Sequence, residues 1–204
     1  MKKFELTTEF ITNAFGKKLF RIKALVEFGD VKAGELGGYV EKEENVSQDG
    51  NAWVSGDAEV YGDAEVYGDA WVHGNAKVYG NALVYGDTEV SGNARVYGNA
   101  RVSGNAWVYG NAWVSGNARV SGNARVYGDA DYALVQGFGT EFRCTTFYSG
   151  KNKKIMVNCG CFHGDLEGFR KQVKETRNGK IAKEYLMIAD LMEYHFTSED
   201  SSNE

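Results

Sequence analysis

The chain has 204 residues, a net charge of −5 and an apolar share of 43%. It is long enough to bury a core in one or two domains, and its acidic balance disfavours generic binding to nucleic acid or to an anionic membrane. No run of ~18 apolar residues occurs, so no membrane span is expected. The opening MKKFELTTEF lacks the apolar stretch of a secretory signal, and the three cysteines (Cys144, Cys159, Cys161) suit a reducing compartment better than a disulfide framework. These features together lead us to expect a cytoplasmic protein.

Residues 1–49 read as an irregular N-terminal capping segment. LFRIKALV (19–26) predicts a strand and GDVKAGELGGYV (29–40) a glycine-rich turn region. Val40 and Val46 stand six apart, but eight residues separate Val46 from Val54. That spacing predicts an imperfect first coil with a two-residue adjustment before a regular phase begins.

Residues 50–135 form the regular phase. Glycine recurs at every sixth position from Gly50 to Gly128, in the phrase Gly-(Asn or Asp)-Ala-x-Val-(Tyr or Ser). The Val position never changes from Val54 to Val126, and Ala gives way once, to Thr88. In such a phrase the x position points outward, Val inward, and Tyr or Ser outward again. Gly and Asn or Asp turn the corner, because both tolerate backbone angles that branched residues resist. Three phrases then close a triangular coil of eighteen residues, and coils stack at ~4.8 Å. The absence of proline fits a ladder that needs every N–H.

Residues 136–204 predict a small α+β cap. TTFY (145–148) and KIMVNCGCF (154–162) read as a hairpin, followed by helices over 165–176 and 180–196. The fold class expected is therefore mainly β: a parallel β-helix with an N-terminal β cap and a C-terminal hairpin plus two helices.

The phrase resembles the hexapeptide repeat of left-handed β-helix acyltransferases, with an aliphatic residue followed four later by a small one (Val54/Ala58, Val60/Ala64). The usual right-handedness of parallel crossovers argues the other way. A right-handed bactofilin-like solenoid is the alternative, although such solenoids tend to place large aliphatic residues in both inward slots. The alanine column, broken only at Thr88, favours the left-handed form. LFRIKALVEFGDVKAGELGGYVE and TTFY…VNCGCFHGDLEGF…EYLMIADL extend the resemblance to phage and prophage hexapeptide-repeat proteins, including the YdcK-like family often labelled as transferases. That resemblance implies a capped solenoid, commonly a homotrimer, but the transferase label itself rests on the repeat.

Stacking at eighteen-residue spacing makes columns of outward residues. One face carries Trp53, Trp71, Glu89, Trp107 and Arg125, beside Ser55, His73, Ser91, Tyr109 and Tyr127. A second carries Glu59, Lys77, Arg95 and Trp113; a third carries Glu65, Leu83, Arg101 and Arg119. Outward tryptophans point to a protein interface, so Trp53, Trp71, Trp107 and Trp113 are expected to be buried between subunits.

From Gly50 to Gly92 there are seven acids and one base, Lys77; from Asn93 to Gly128 there are four arginines and no acid. Guanidinium groups pair with phosphate and flat aromatics accept bases. In a trimer, the surfaces of Trp107, Tyr109, Arg125 and Tyr127 on the first face and of Arg101 and Arg119 on the third are therefore candidates to form inter-subunit pockets for a small anion such as a cyclic nucleotide. A host protein is the other partner expected; the resemblance to phage proteins implies a non-enzymatic binding protein, an inhibitor or sponge that blunts host defence. The alternatives are an acyltransferase with His73 as general base and a self-assembling structural solenoid. No loop interrupts the coils to form an acyl-donor pocket. Cys159, Cys161 and His163 alternate along one predicted strand, but structural zinc prefers more open spacing, so neither a metal nor a cofactor is expected.

Overall fold

The computed structural model describes residues 2–128, 131–140, 143–150 and 153–197. They fall into two compact units, Met1–Asp129 and Ala130–Glu204. Among the described residues no helix is long and apolar enough to cross a membrane.

The first unit is a parallel β-solenoid of five turns whose strands form three flat faces. The first face stacks Trp53–Val54, Trp71–Val72, Glu89–Val90, Trp107–Val108 and Arg125–Val126. The second stacks Leu36–Val40, Glu59–Gly62, Lys77–Gly80, Arg95–Val96 and Trp113–Val114. The third stacks Glu65–Gly68, Leu83–Gly86, Arg101–Val102 and Arg119–Val120, and an isolated bridge from Val46 to Val66 gives it a first rung. The register is the one expected from the period: Trp53 pairs with Trp71, Glu59 with Lys77 and Arg101 with Arg119.

The first turn shows where the two extra residues go. Val40 pairs with Val60 and Val46 with Val66, twenty positions on, whereas Val54 pairs with Val72, eighteen positions on. The excess is absorbed between Val46 and Val54. Below it, a hairpin of Phe4–Thr12 and Lys18–Ala24 adds antiparallel to Leu36–Val40 and extends the second face. Periodicity gave no sign of the Phe4–Thr12 strand.

The bore is filled by two residue types. Every Val from Val54 to Val126, and every Ala from Ala52 to Ala124 in the repeat, is fully buried. Thr88, 1% exposed in an alanine position, donates its hydroxyl to Tyr85 O at 2.7 Å, so the buried oxygen is satisfied. Rung-to-rung amide bonds such as Trp71 N to Thr88 O (2.8 Å) and Leu83 N to Ala100 O (2.9 Å) run along the stack. At the corners, Asn81 donates to Asn99 at 3.2 Å and Asn99 to Asn117 at 3.3 Å. On the second face, Tyr61, Tyr79 and Tyr97 stack at 5.0 and 4.9 Å with rings within 3° of parallel.

The second unit is a four-stranded antiparallel meander, Tyr132–Phe138, Arg143–Ser149, Ile155–Cys159 and Phe162–Asp165, followed by α1 (Leu166–Thr176) and α2 (Gly179–Thr197). Tyr132 to Val135, which the sequence reading joined to the solenoid, pair with Thr145 to Tyr148 instead, because an antiparallel partner replaces the missing valine phase. The stretch read as one strand, KIMVNCGCF, breaks at Gly160 (φ +62°), and Phe162 pairs back on Cys159. Phe147, Val157, Phe169, Val173, Tyr185 and Ile188 form its core. Asp165 caps α1 by accepting from Gly168 N at 2.7 Å. Arg170 of α1 ties the helices together through Asp190 and Glu193 of α2 and also pairs with Glu167 on its own helix, all at 2.7–2.8 Å.

Candidate functional site

The outward columns of the solenoid hold most of the residues singled out in the sequence. Their positions differ in instructive ways. Trp53 is 1% exposed. It is covered within the chain by Phe4 (ring centroids 6.2 Å) and Phe28 (5.4 Å), both edge-on. The expectation that it packs between subunits is therefore corrected: a cap of the same chain reaches it first. The sequence reading missed that cap because Phe4 and Phe28 belong to no repeat. Gln48 completes it, its side-chain oxygen accepting from Lys3 N (2.7 Å) and Phe4 N (3.2 Å) while its amide donates to Phe4 O (3.2 Å). Lys3 Nζ donates to Ala52 O at 2.8 Å and lies over the Phe28 ring at 4.8 Å. Burial pushes this ammonium down to about 8, against the pull of Asp49 and Asp69.

Trp71, one rung further on, is 44% exposed. Its indole N–H donates to Ser55 Oγ at 3.0 Å, and the His73 ring lies 5.1 Å away. His73 Nε2 sits 2.9 Å from Glu89 Oε1, so the solenoid's histidine has a carboxylate partner on the next rung.

Further along the same face, the Arg125 guanidinium lies 4.2 Å over the Trp107 ring. It also donates to Asn105 O (2.9 Å) and Ala124 O (3.0 Å), which fixes the stacked geometry. Tyr109 and Tyr127 meet edge to face at 5.0 Å beside this pair. Trp107 with Arg125 and Tyr109 with Tyr127 are thus two contacting pairs, two positions apart along the same two rungs. Arg101 and Arg119 are exposed neighbours on the third face, in direct register, as the eighteen-residue columns place them. On the second face, Arg95 lies 4.8 Å over Trp113, which is 43% exposed. The arrangement of arginine over tryptophan thus occurs twice, on two faces.

The acids of the lower half meet bases where the columns allow. Lys77 donates to Glu59 at 2.6 Å and Lys42 to Asp63 at 2.9 Å. Burial in the tyrosine column pushes the Tyr61 phenol up to about 12.

Residues 76–92, 90–103, 94–110, 100–116 and 118–130 match the family model of the YdcK β-solenoid repeat. These segments of the solenoid are similar to YdcK β-solenoid repeats. The matched segments contain the Trp107–Arg125 pair, the Arg101–Arg119 pair and the Arg95–Trp113 stack. No curated protein matches the chain.

In the second unit, the strand break at Gly160 separates the groups that alternated in the sequence. Cys161 is exposed at the turn, and Cys159 accepts from Thr145 Oγ1 at 3.1 Å. His163 bonds through Nδ1 to Asn158 Oδ1. Among the described residues, no group of three or more His, Cys, Asp or Glu side chains is placed to hold a metal.

Proposed function

We propose that this is a non-enzymatic binding protein whose YdcK-type solenoid is a rigid display surface for an anionic partner. The observation that carries the reading is the Arg125–Trp107 stack with Tyr109 and Tyr127 beside it, in the half of the solenoid that has arginines and no acids. A flat cation laid on a flat aromatic presents N–H donors at its edge, and edge-on donors suit phosphate oxygens, while neighbouring rings suit a base. The Arg101–Arg119 pair adds a second cationic strip of the same spacing.

The partner class proposed is a small nucleotide-like anion such as a cyclic nucleotide. The biological setting that suits such a protein is a phage-encoded, cytoplasmic sponge or inhibitor of host defence, in which a host protein could be the partner instead. We also propose a homotrimer. A threefold ring is heterologous, joining two different patches, and Trp107 and Trp113 supply exposed aromatic patches on two faces.

The test is calorimetric titration of the full chain with a panel of mononucleotides and cyclic nucleotides, alongside native mass spectrometry. Binding that weakens about tenfold in Arg125→Ala and fades with added salt supports the reading. Absence of binding across the panel at millimolar ligand refutes the small-anion form.

The second reading, acyl transfer, draws on one observation: the His73–Glu89 contact at 2.9 Å orients the imidazole as a base-and-carboxylate pair would. Acyl-transfer activity that is lost in His73→Ala would favour it.

A further inference from the structure

The second unit carries an exposed stripe that its own core does not use. One side of α2 packs inward through Tyr185, Ile188, Ala189 and Met192. The opposite side holds Lys180, Lys183, Met187, Leu191 and Tyr194, whose spacing of three, four, four and three residues sets them in one row along the helix. Met187 is 61% exposed, Leu191 58% and Tyr194 71%. A surface helix ordinarily gives its outer row to polar side chains, so three large apolar ones in succession mark an interaction surface.

Charge along α2 also runs against the dipole of the helix. A helix on its own favours acids in its first turn and bases in its last. α2 has no acid in its first turn and starts instead with Lys180 and Lys183. Glu184 lies 3.5 Å from Lys180, but Lys183 has no ion pair among the described residues. Towards the other end, Asp190 and Glu193 share the Arg170 guanidinium with Glu167. Three carboxylates on one cation leave that end with an excess of acid.

We infer that this stripe is the contact of a two-fold dimer, in which α2 packs antiparallel against α2 of a second copy of the chain. Antiparallel packing answers the charge pattern: the Lys183 end of each helix meets the Asp190 and Glu193 end of the other, and the two dipoles oppose. Parallel packing would set lysine on lysine. With Met187 against the partner's Leu191, the two-fold axis repeats the same contact, as an isologous interface requires. Tyr194 then comes level with the partner's Lys183, whose stem and ammonium pack on the ring. An anionic membrane would suit the lysines but repel Asp190 and Glu193, whereas a second copy meets both ends. The stripe is smaller than the ~800 Å² per partner of a standard stable interface, so the dimer is weak and concentration-dependent. It lies wholly within the second unit, and so stands or falls independently of the anion-binding reading and of the solenoid trimer.

The experiment is sedimentation velocity of the full chain from micromolar to millimolar concentration. The expected result is a reversible doubling of mass, whether from monomer or from trimer, with a midpoint on the order of 10–100 µM that moves higher with added salt. Leu191→Ser and Lys183→Glu, both at exposed positions, should each raise that midpoint about tenfold while leaving the denaturation midpoint of dilute protein unchanged. A carbodiimide, which joins an amine to an adjacent carboxylate, should link Lys183 to Asp190 or Glu193 between isotope-labelled and unlabelled chains. No doubling at millimolar protein overturns the proposal, and so does doubling that both substitutions leave unchanged. Adsorption to phosphatidylglycerol vesicles that Leu191→Ser abolishes, without any doubling, overturns it in favour of a membrane surface.

Discussion

Replacing a corner glycine tests directly what holds the turns together. Gly98 has φ +73°, and a Cβ built on it would lie 3.0 Å from Gly116 N and 3.2 Å from Gly116 O. Gly116 has φ +65°, and a Cβ there would meet nothing within 4 Å. Both positions impose the left-handed backbone, which costs an L-residue roughly 1–2 kcal/mol. Loss of glycine's freedom in the unfolded chain returns about 0.4–1 kcal/mol. Gly116→Ala should therefore cost about 1 kcal/mol. Gly98→Ala adds contact with backbone that is itself hydrogen-bonded into the next rung, Asn99 N to Gly116 O at 2.8 Å. Overpacking of that kind adds roughly 1–3 kcal/mol, for a total of about 2–4 kcal/mol. Asparagine separates the two effects, since it tolerates the left-handed region while still carrying a Cβ. Gly98→Asn should remain clearly destabilising and Gly116→Asn nearly neutral. Urea denaturation followed by tryptophan fluorescence reads the losses, and hydrogen exchange shows whether the turns above Gly98 open first. Equal losses for Gly98→Asn and Gly116→Asn would refute the claim that close rung contact, rather than backbone angle alone, requires glycine.

Trp53→Ala should cost about 3–5 kcal/mol, as expected for emptying a large buried aromatic site, and should raise exchange of the Phe4–Thr12 amides while leaving those of α1 and α2 unchanged. Stability should also vary with pH in two opposed steps. Burial holds Lys3 down to about 8 against an ordinary 10.5, so between those values the unfolded chain keeps a proton that the folded chain has lost. Stability then rises with pH by up to about 2 kcal/mol, and Lys3→Met should abolish the rise. Tyr61 acts oppositely: its phenol is raised from 10.0 to about 12, so its contribution is complete below pH 10 and is lost as pH climbs to 12. Denaturation midpoints across pH 7 to 12 check both steps (a flat profile contradicts each). Arg170→Ala should destabilise the second unit by about 1–2 kcal/mol, more than a lone surface pair, because it joins three carboxylates at once. The difference from wild type should shrink in high salt.

The solenoid was legible because a single six-residue phrase specifies a strand, a corner and an inward pair each time it recurs. The register of Glu59 with Lys77 or Trp107 with Arg125 followed from counting eighteen residues. The two-residue excess was visible as the wider Val46–Val54 gap, and the structure absorbs it there. What counting could not reach was contact between the repeat and non-repeating chain. Trp53 occupies the same column as Trp71 and Trp107, yet only Trp53 is buried, because Phe4 and Phe28 are brought to it by a hairpin with no periodic signature. The columns also placed Arg101 and Arg119 on a different face from Trp107, because adjacency of phrases in the chain is adjacency around the coil. In the second unit, alternation of Cys159, Cys161 and His163 implied one strand, but a glycine with φ +62° allowed a tight turn between them.

The two ends of the solenoid therefore carry opposite chemistry on one invariant frame. Rung spacing is set by backbone hydrogen bonds and the bore by Val and Ala, so outward side chains can change sign without altering the fold. The lower turns use this freedom to place Asp69 opposite a capping loop that adds Asp30 and Glu35. The upper turns use it to lay Arg95 on Trp113 and Arg125 on Trp107. An arginine held on a ring and on two carbonyls has already lost most of its rotamer freedom. Anchoring a partner on Arg125 then costs less ordering entropy than on a loose surface arginine. A stacked solenoid can offer such preorganised cations without loops.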